Sequence, residues 1–261
     1  MSFIIDKIIT YPVKGLAGIT HNTAMVTKNQ LLPGDRAYAI TSGTAASHES
    51  ASDQWLKKAH FLQMMADDVL ACFNLAFDAV KAQLTLTLDH KVIFDGCLND
   101  PKDAARFCDI IASYVAWPDE TTPPRLFHRN EGGLTDTKAP FISFGNQASI
   151  ADFANREGLA NDDRRFRLNV MMTGGMIGGG QPMEELALIG KKAKIGSAVF
   201  AFEEPVGRCA AIELDPESAK RTKGLVQRLE AHYGTNDMGI FATAITDGTF
   251  QIGDQLEIIE D

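Results

Sequence analysis

The sequence predicts an α+β fold that is rich in β-strands and has β-barrel character. Short strand-like runs recur along the whole chain, and few segments have the apolar spacing of a helix. The clearest strands are residues 84–88, which alternate apolar and polar side chains, and residues 91–94, which follow the turn Asp89-His90. Many short strands with few helices are typical of barrel-containing α+β domains.

Further strands are predicted on both sides of this hairpin. Toward the N-terminus they span residues 3–9, 24–27 and 36–40, and a loop with one Pro and two Gly at 11–18 follows the first of them. Toward the C-terminus they span residues 240–245 and 250–259, with a tight bend at 252–254. The loop at 11–18 exposes Lys14 at the end of a strand.

Three helices are predicted from their end signals. Asp100-Pro101 opens the first, since Asp suits the cap and Pro suits the first helical position. Its apolar face consists of Phe107, Ile110, Ile111 and Tyr114. The second helix spans residues 146–157, and Asp215-Pro216 is expected to cap the third, which ends at Gly234.

Regular structure is interrupted most often between residues 117 and 140, where four Pro and two Gly occur. We therefore place a domain boundary near the start of this stretch. The predicted domains are residues 1–118 and 119–261.

Composition narrows the functional class. The chain has 261 residues, is 45% hydrophobic and 23% charged, and has a net charge of −9, which argues against bulk attraction to nucleic acid or an anionic membrane. The N-terminus lacks the pattern of a signal peptide and no stretch reaches 18 apolar residues, so a cytoplasmic location is expected. A monomer is the default expectation for the oligomeric state. The four cysteines include no CxxC pair, which argues against a zinc ribbon, an iron–sulfur cluster or any metal bound by protein ligands alone.

Cys209 is the strongest candidate for chemistry. It follows an apolar run at residues 198–202, lies beside Arg208, and precedes a second strand-like run that ends at Asp215-Pro216. A neighbouring cation favours the thiolate, which is the reactive and metal-binding form of cysteine. The alternative is that Cys209 is a small buried hydrophobic residue, as most free cysteines are.

Positive charge is concentrated at the predicted strand ends, at Lys14, Arg36, residues 162–167 and Arg208. Guanidinium groups and free backbone amides at such ends suit a small anion such as phosphate. Residues 165–172 are predicted as a strand with Arg165, Arg167 and Asn169 on one face. The Gly-rich residues 174–180 lack the Lys-Ser/Thr of a phosphate loop, so a flexible turn or lid is expected there.

With these residues in place, the chain resembles the MOSC proteins, and most closely the two-part members typified by the mitochondrial amidoxime reducing component. Tyr11-Pro12-Val13-Lys14-Gly15 is similar to the family's YPVKS loop, and Gly34-Asp35-Arg36-Ala37-Tyr38 to its DR-aromatic strand. Phe166-Arg167-Leu168-Asn169-Val170 matches its FRPN strand. Gly207-Arg208-Cys209, with Asp215-Pro216, matches its S-R-C…DP segment, and residues 248–254 resemble its closing G-x-I-x-x-GD.

The resemblance implies an N-terminal MOSC-associated β-barrel domain followed by a MOSC β-barrel domain with peripheral helices. It also implies a molybdenum cofactor, molybdopterin, between the two domains, with Cys209 as the thiolate ligand of molybdenum and the catalytic residue. The residues that would hold the phosphate and pterin are Lys14, Gly15, Arg36, Arg167, Asn169, Gly207 and Arg208. Two family serines are glycine here, at Gly15 and Gly207, which leaves backbone amides in place of two hydroxyl donors.

Two functional hypotheses follow. The first is an oxidoreductase that reduces N-hydroxylated small molecules, such as hydroxylamines and amidoximes, with electrons from a separate ferredoxin-, flavodoxin- or reductase-type protein. The second is a carrier of the molybdenum cofactor, or a sulfur-transfer module with a persulfide on Cys209, that performs no reductase turnover.

Overall fold

The computed structural model confirms the α+β, strand-rich fold. It describes residues 2–42, 56–117, 123–129, 132–175 and 180–259. The expected turn or lid at 174–180 falls largely outside the described residues, since 176–179 are not among them.

The elements of the described residues are fifteen strands, three α-helices and five short 3-10 segments. The strands are β1 Phe3–Thr10, β2 Ile19–His21, β3 Thr23–Val26, β4 Tyr38–Ile40, β5 Asn74–Asp78, β6 Gln83–Leu88, β7 Lys91–Cys97, β8 Leu126–His128, β9 Ile142–Asn146, β10 Val170–Gly174, β11 Lys192–Ile195, β12 Ala198–Gly207, β13 Asp237–Ala244, β14 Gly248–Gln251 and β15 Leu256–Ile259. The α-helices are α1 Pro101–Ala112, α2 Gln147–Glu157 and α3 Leu225–Tyr233. The 3-10 segments are Lys58–His60, Asp68–Cys72, Asp163–Phe166, Glu184–Leu188 and Ala210–Glu213.

An eight-stranded sheet forms the largest part of the structure, in the order β15-β11-β12-β13-β9-β10-β1-β2. The sheet curls until β15 approaches β1, where Ile4 bridges to Gln255 and the Ile5 amide donates to the Asp254 carbonyl at 2.9 Å. Its interior is filled by Phe144, Phe200 and their neighbours, which are fully buried. Curling a sheet in this way buries one face of every strand and pairs most of the exposed edge groups.

Helix α2 connects β9 to the adjacent parallel strand β10. It begins at the cap Asn146, whose side chain accepts from the Ala148 amide, and ends at Gly158 in the left-handed conformation. Ile150 and Phe153 are buried, as the sequence predicts, and pack in one cluster with Phe166.

A separate three-stranded sheet, β5-β6-β7, packs with α1. The turn between β6 and β7 lies at Asp89-His90 and both residues have positive φ, which confirms the predicted hairpin. Asp100 caps α1 by accepting from two backbone amides, as predicted. Tyr114, predicted on the apolar face, lies beyond the helix end and is 42% exposed.

The N-terminal strands pair with strands from late in the chain. Strand β1 pairs with β10, and β3 pairs with β14. The small sheet β4-β8 joins residues on either side of the α1 region. The domain boundary near residue 118 stays a prediction.

Three predictions of local structure are wrong. The run that follows Cys209 is not a strand, because Ala210–Glu213 form a 3-10 segment. Residues 165–172 are not one strand: Arg165 lies in the 3-10 segment Asp163–Phe166, Arg167 has a left-handed backbone, and β10 begins at Val170. Asp215 does not cap an α-helix. Its side chain accepts from the Glu217 and Ser218 amides in a turn, and α3 begins ten residues later, at Leu225. Aspartate caps a turn as readily as a helix, so the sequence signal was ambiguous.

Gly239 and Gly253 provide a matched test of the packing inside the sheet. Both have left-handed φ, of 88° and 91°, but a Cβ at Gly239 would lie 2.7 Å from the Phe144 carbonyl oxygen, whereas a Cβ at Gly253 would meet nothing within 4 Å. Gly253→Ala should cost about 1–2 kcal/mol of unfolding free energy, from backbone strain alone. Gly239→Ala should cost about 1–3 kcal/mol more, because the backbone of β9 must move. Urea unfolding of both variants measures the difference, and equal losses would show that the interior of the sheet tolerates the methyl group.

Candidate functional site

All eight residues predicted for the site line one cavity of about 340 Å³, here called the cysteine cavity. The predicted residues are Lys14, Gly15, Arg36, Arg167, Asn169, Gly207, Arg208 and Cys209. The other lining residues are Lys58, Leu62, Gln63, Met64, Met65, Thr135, Asp136, Thr137, Phe141, Ser143, Phe166, Leu168, Val206, Ala211 and Phe241. The fold therefore brings together four sequence segments that are far apart in the chain, whereas the role of each residue stays a prediction.

Cys209 is half-buried and lies between the end of β12 and the 3-10 segment Ala210–Glu213. Its carbonyl accepts from the Ile212 amide at 3.1 Å, and the preceding Arg208 amide donates to the Asn236 carbonyl at 3.0 Å. Arg165 supports the same corner from outside the cavity, because its guanidinium donates to the Ile212 and Leu214 carbonyls at 3.0 and 2.7 Å. The thiol is thus held on a fixed backbone.

Arg208 points its guanidinium into the protein. One terminal nitrogen donates to the Phe166 carbonyl and the other lies 3.4 Å from the Met238 carbonyl, while Nε is buried and has no hydrogen-bond partner among the described residues. Burial lowers the pKa of Arg208 to about 10, against the opposing effect of Cys209. A buried cation with an unpaired donor is costly unless an anion compensates it.

Arg36 and Arg167 pack against the ring of Tyr11, with guanidinium carbons 4.8 and 4.4 Å from the ring centroid. Both residues have left-handed backbones, with φ of 52° and 54°. Arg36 is paired with Asp35, which also accepts from the Tyr11 amide at 2.7 Å. Arg167 donates to the Leu16 carbonyl at 2.7 Å, and burial lowers its pKa to about 10.

Lys14 is 9% exposed, and its ammonium group lies 2.7 Å from the Leu134 carbonyl and 2.5 Å from Asp136 Oδ1. Burial lowers the pKa of Lys14, and Asp136 opposes that effect. Asp136 is itself 57% exposed. The prediction that the loop at 11–18 exposes Lys14 is therefore wrong: the lysine is buried by its contacts with Leu134 and Asp136, while Asp136 itself lies at the solvent side.

Asn169 has a different set of contacts from the cations. Its Oδ1 accepts from the Ser143 hydroxyl at 2.8 Å, and its Nδ2 donates to the Ile9 carbonyl at 3.1 Å. The residue is 2% exposed. Its observed contacts therefore join β1 to the start of β9, beneath the cavity.

Gly15 and Gly207, the two glycines at positions where the resemblance implies serine, differ in whether a side chain would fit. Gly15 has φ of 84°, and a Cβ there would lie 3.1 Å from the Leu62 carbonyl oxygen, so a side chain is disfavoured. A Cβ at Gly207 would have one neighbour, Asp237 Oδ1, at 3.6 Å. A hydroxyl could therefore be added at Gly207 but not readily at Gly15.

Several lining residues escaped the sequence analysis. Lys58 and Met64 lie in a segment without clear periodicity, and Asp136 lies in the stretch interrupted by Pro and Gly. Phe141 and Phe241, which stack with centroids 5.0 Å apart, form an apolar wall of the cavity. Nothing in the sequence pattern places these segments beside Cys209, because their contacts are long-range.

The side chains that line the cysteine cavity carry more positive than negative charge. Five cations line it, and of these Lys14 and Arg36 are paired with a carboxylate. Within the described part of the chain, Lys58, Arg167 and Arg208 form no ion pair. The cavity therefore suits an anionic ligand.

Among the described residues there is neither a cluster of metal-binding side chains nor a helix that could span a membrane. No three His, Cys, Asp or Glu side chains in the described ranges are grouped so that they could hold a metal ion. The described helices are too short or too polar to span a membrane.

Residues 136–257 match the family profile of the MOSC domain. The YuaD protein from Bacillus subtilis superposes with a TM-score of 0.45 at 12% identity, covering 99% of this chain and 96% of that one. YiiM from Geobacillus stearothermophilus and YiiM from Escherichia coli each have a TM-score of 0.34, at 14% and 13% identity, and each comparison covers 46% of this chain and 54% of the other. No curated protein matches the sequence.

The cysteines should differ in reactivity. Burial raises the pKa of Cys108, which is 1% exposed, to about 12, whereas Cys209 is half-buried beside a cationic cavity. In native protein with no ligand in the cysteine cavity, at pH 8, iodoacetamide should alkylate Cys108 at least about 100-fold more slowly than Cys209, because the thiolate is the nucleophile and the buried Cys108 forms little of it. Peptide mass spectrometry over time gives both rates, and in urea the two rates should converge. Equal rates in the native protein would contradict the assigned environments.

Proposed function

We propose, from the premise that residues 136–257 belong to the MOSC domain family, that the protein is a molybdenum-cofactor oxidoreductase that reduces N-hydroxylated compounds. MOSC domains are associated with binding of the molybdenum cofactor. The observation that supports the proposal best is the cysteine cavity itself, in which a thiol lies beside cations that lack carboxylate partners.

The residues present fit the chemistry of this cofactor. Its phosphate needs cationic donors, and Arg208, Arg167 and Lys58 line the cavity without a carboxylate partner among the described residues. Molybdenum bound by dithiolene sulfurs prefers a soft ligand, which Cys209 supplies better than an imidazole or a carboxylate would. The stacked rings of Phe141 and Phe241 offer an apolar surface for a flat pterin.

Each side chain has a separate task in this proposal. Cys209 holds the metal as thiolate, and its fixed backbone sets the direction of that bond. Lys14, Arg36, Arg167 and Arg208 bind and orient the anionic tail, while Gly15 and Gly207 offer backbone amides. Asn169 holds β1 against β9, so that the strand ends beneath the ligand do not separate.

The bound cofactor would supply two electrons to the N–O bond of a hydroxylamine or amidoxime, which breaks with uptake of two protons to give water and the amine or amidine. The four cysteines are too widely spaced in sequence to hold an iron–sulfur cluster of known pattern. The electrons are therefore proposed to come from a separate ferredoxin-, flavodoxin- or reductase-type protein.

A second candidate function is sulfur transfer or cofactor delivery through Cys209. The specific observation in its favour is Gly207, since the missing side chain leaves open space next to the Arg208-Cys209 pair and removes a hydroxyl donor. A ligand held with one donor fewer exchanges more readily. This candidate predicts sub-stoichiometric metal, or a sulfane sulfur on Cys209.

Metal and pterin content per chain tests the proposal. Protein should be produced in a host that makes the cofactor, as wild type, Cys209→Ser and Arg208→Gln. Wild type should contain close to one molybdenum and one pterin per chain, and Cys209→Ser should lose the metal. Arg208→Gln should retain about tenfold less molybdenum and pterin than wild type, because a charge-assisted hydrogen bond is lost.

Arg156→Gln is the matched control for the loss of one positive charge. Arg156 is ion-paired with Asp152 on the surface of α2, outside the cavity, so its substitution should leave the metal content unchanged. Full metal in Cys209→Ser would overturn the ligand assignment. Absence of metal from every variant, with sulfane sulfur on wild-type Cys209, would favour the second candidate.

A further inference from the structure

A second cavity, of about 490 Å³, adjoins the cysteine cavity and has no role in the function proposed above. Its lining includes Lys7, Ile9, Ala17, Thr20 and Ala71 from the N-terminal part of the chain. The remaining lining residues are Tyr11, Gly18, Met64, Asn74, Asn161, Asp162, Asp163, Arg164, Arg165, Arg167, Ala211, Leu214 and Pro216. The volume is in the range of cavities that bind small organic molecules.

Charge in the second cavity is compensated, in contrast to the cysteine cavity. Lys7 lies 2.5 Å from Asp163, and Arg164 lies 2.6 Å from Asp162. Arg165 lies 3.1 Å from Asp215. The cations that line this cavity alone, Lys7, Arg164 and Arg165, are thus ion-paired, and the unpaired Arg167 is shared with the cysteine cavity. An anionic ligand bound against the unshared part of the lining would have to displace a carboxylate.

The rest of the lining is apolar or uncharged. Ile9, Ala71 and Leu214 offer aliphatic surface, while Thr20 and Asn74 offer uncharged hydrogen-bonding groups near the opening. The side chains of Thr20 and Asn74 are exposed and form no hydrogen bond with another described residue. Such a lining favours a neutral molecule with an apolar body and at least one hydrogen-bonding group.

The two cavities are separated by few side chains. Met64, Arg167 and Ala211 line both of them, and Ala211 is two residues from Cys209 in sequence. Met64 Sδ lies 3.5 Å from Arg167 Nη1, and the Met64 carbonyl lies 3.4 Å from Arg221 Nη2. Because the Met64 backbone is held and its thioether side chain has three rotatable bonds, the side chain can change rotamer while the wall stays in place.

We propose that the second cavity is the substrate site: it binds an uncharged N-hydroxylated compound with an apolar body, beside the cofactor in the cysteine cavity. This inference rests on the proposed function for the identity of the reacting group. Hydroxylamines and amidoximes of this kind are neutral at pH 7, which matches a compensated lining, whereas the cofactor is anionic and matches the uncompensated one. The substrate approaches the cofactor past Met64.

Filling the second cavity tests the inference. Ala71→Trp places a bulky ring in the cavity from the 3-10 segment Asp68–Cys72, and Thr20→Phe does so from the exposed side of β2. Ala105→Trp adds the same ring as the first variant to the exposed side of α1, outside both cavities, and is the control. The probe is benzamidoxime, a neutral amidoxime with one aromatic ring, and its affinity for protein as purified is measured by calorimetry. Metal and pterin content is measured on the same samples.

The expected result is benzamidoxime binding to wild type and Ala105→Trp with equal affinity, and binding weakened at least about tenfold in Ala71→Trp and Thr20→Phe with unchanged metal content. Wild type should also bind an anionic carboxylate derivative of the probe at least about tenfold more weakly. Unchanged binding in both filled variants, or preference for the anion, would overturn the inference.

If wild type lacks metal but binds benzamidoxime in the second cavity, the proposed function fails and the ligand site stands. If it contains metal and does not bind the probe, the ligand site fails and the proposed function stands. Two filling variants are used because one of them could fold poorly.

Discussion

The structure depends on two partly buried guanidinium groups, those of Arg167 and Arg208, that line one cavity without a carboxylate partner in the described part of the chain. Moving such a charge out of water costs free energy, and the lowered pKa values of about 10 express that cost. Backbone carbonyls of Leu16, Phe166 and Met238 offset part of it. An anion in the cavity would offset more, because both residues line the cavity and neither has a carboxylate partner among the described residues.

Holding these cations in place requires an unusual backbone and a second layer of contacts. Arg36 and Arg167 both have left-handed φ, which is unfavourable for a long side chain and directs both guanidinium groups onto Tyr11. Asp35 pairs with Arg36 and accepts from the Tyr11 amide, so one buried carboxylate fixes the loop and the cation together. Arg165 fixes the corner that follows Cys209. The fold thus stabilises the site partly through residues that do not line the cysteine cavity, namely Tyr11, Asp35 and Arg165.

The sequence predicted the strand-rich α+β class and the hairpin at Asp89-His90, and both are confirmed because their signals, alternation and turn residues, are local. The eight residues predicted for the site line one cavity, while their roles stay predictions. The sequence failed at Arg165, which alternates with Arg167 and Asn169 as a strand would, but whose guanidinium is buried against the Ile212 and Leu214 carbonyls. It also failed to identify Lys58, Met64 and Asp136 as lining residues, because only long-range contacts bring them to Cys209. Tertiary pairing of a charge cannot be deduced from its spacing along the chain.

The difference between the two cavities follows from ion pairing rather than from composition. Both are lined by several cations, and Arg167 belongs to both. In the second cavity the 3-10 segment Asp163–Phe166 and its cap Asp162 place carboxylates next to the cations they neutralise. In the cysteine cavity the acid in the lining, Asp136, is mostly solvent-exposed and pairs with Lys14. One short segment, residues 162–167, thus supplies the unpaired Arg167 to both cavities and paired charges to the second cavity alone. A charge-rich run in a sequence can therefore line two cavities of different net charge, and the ion pairs that each side chain forms decide how much charge stays uncompensated in each cavity.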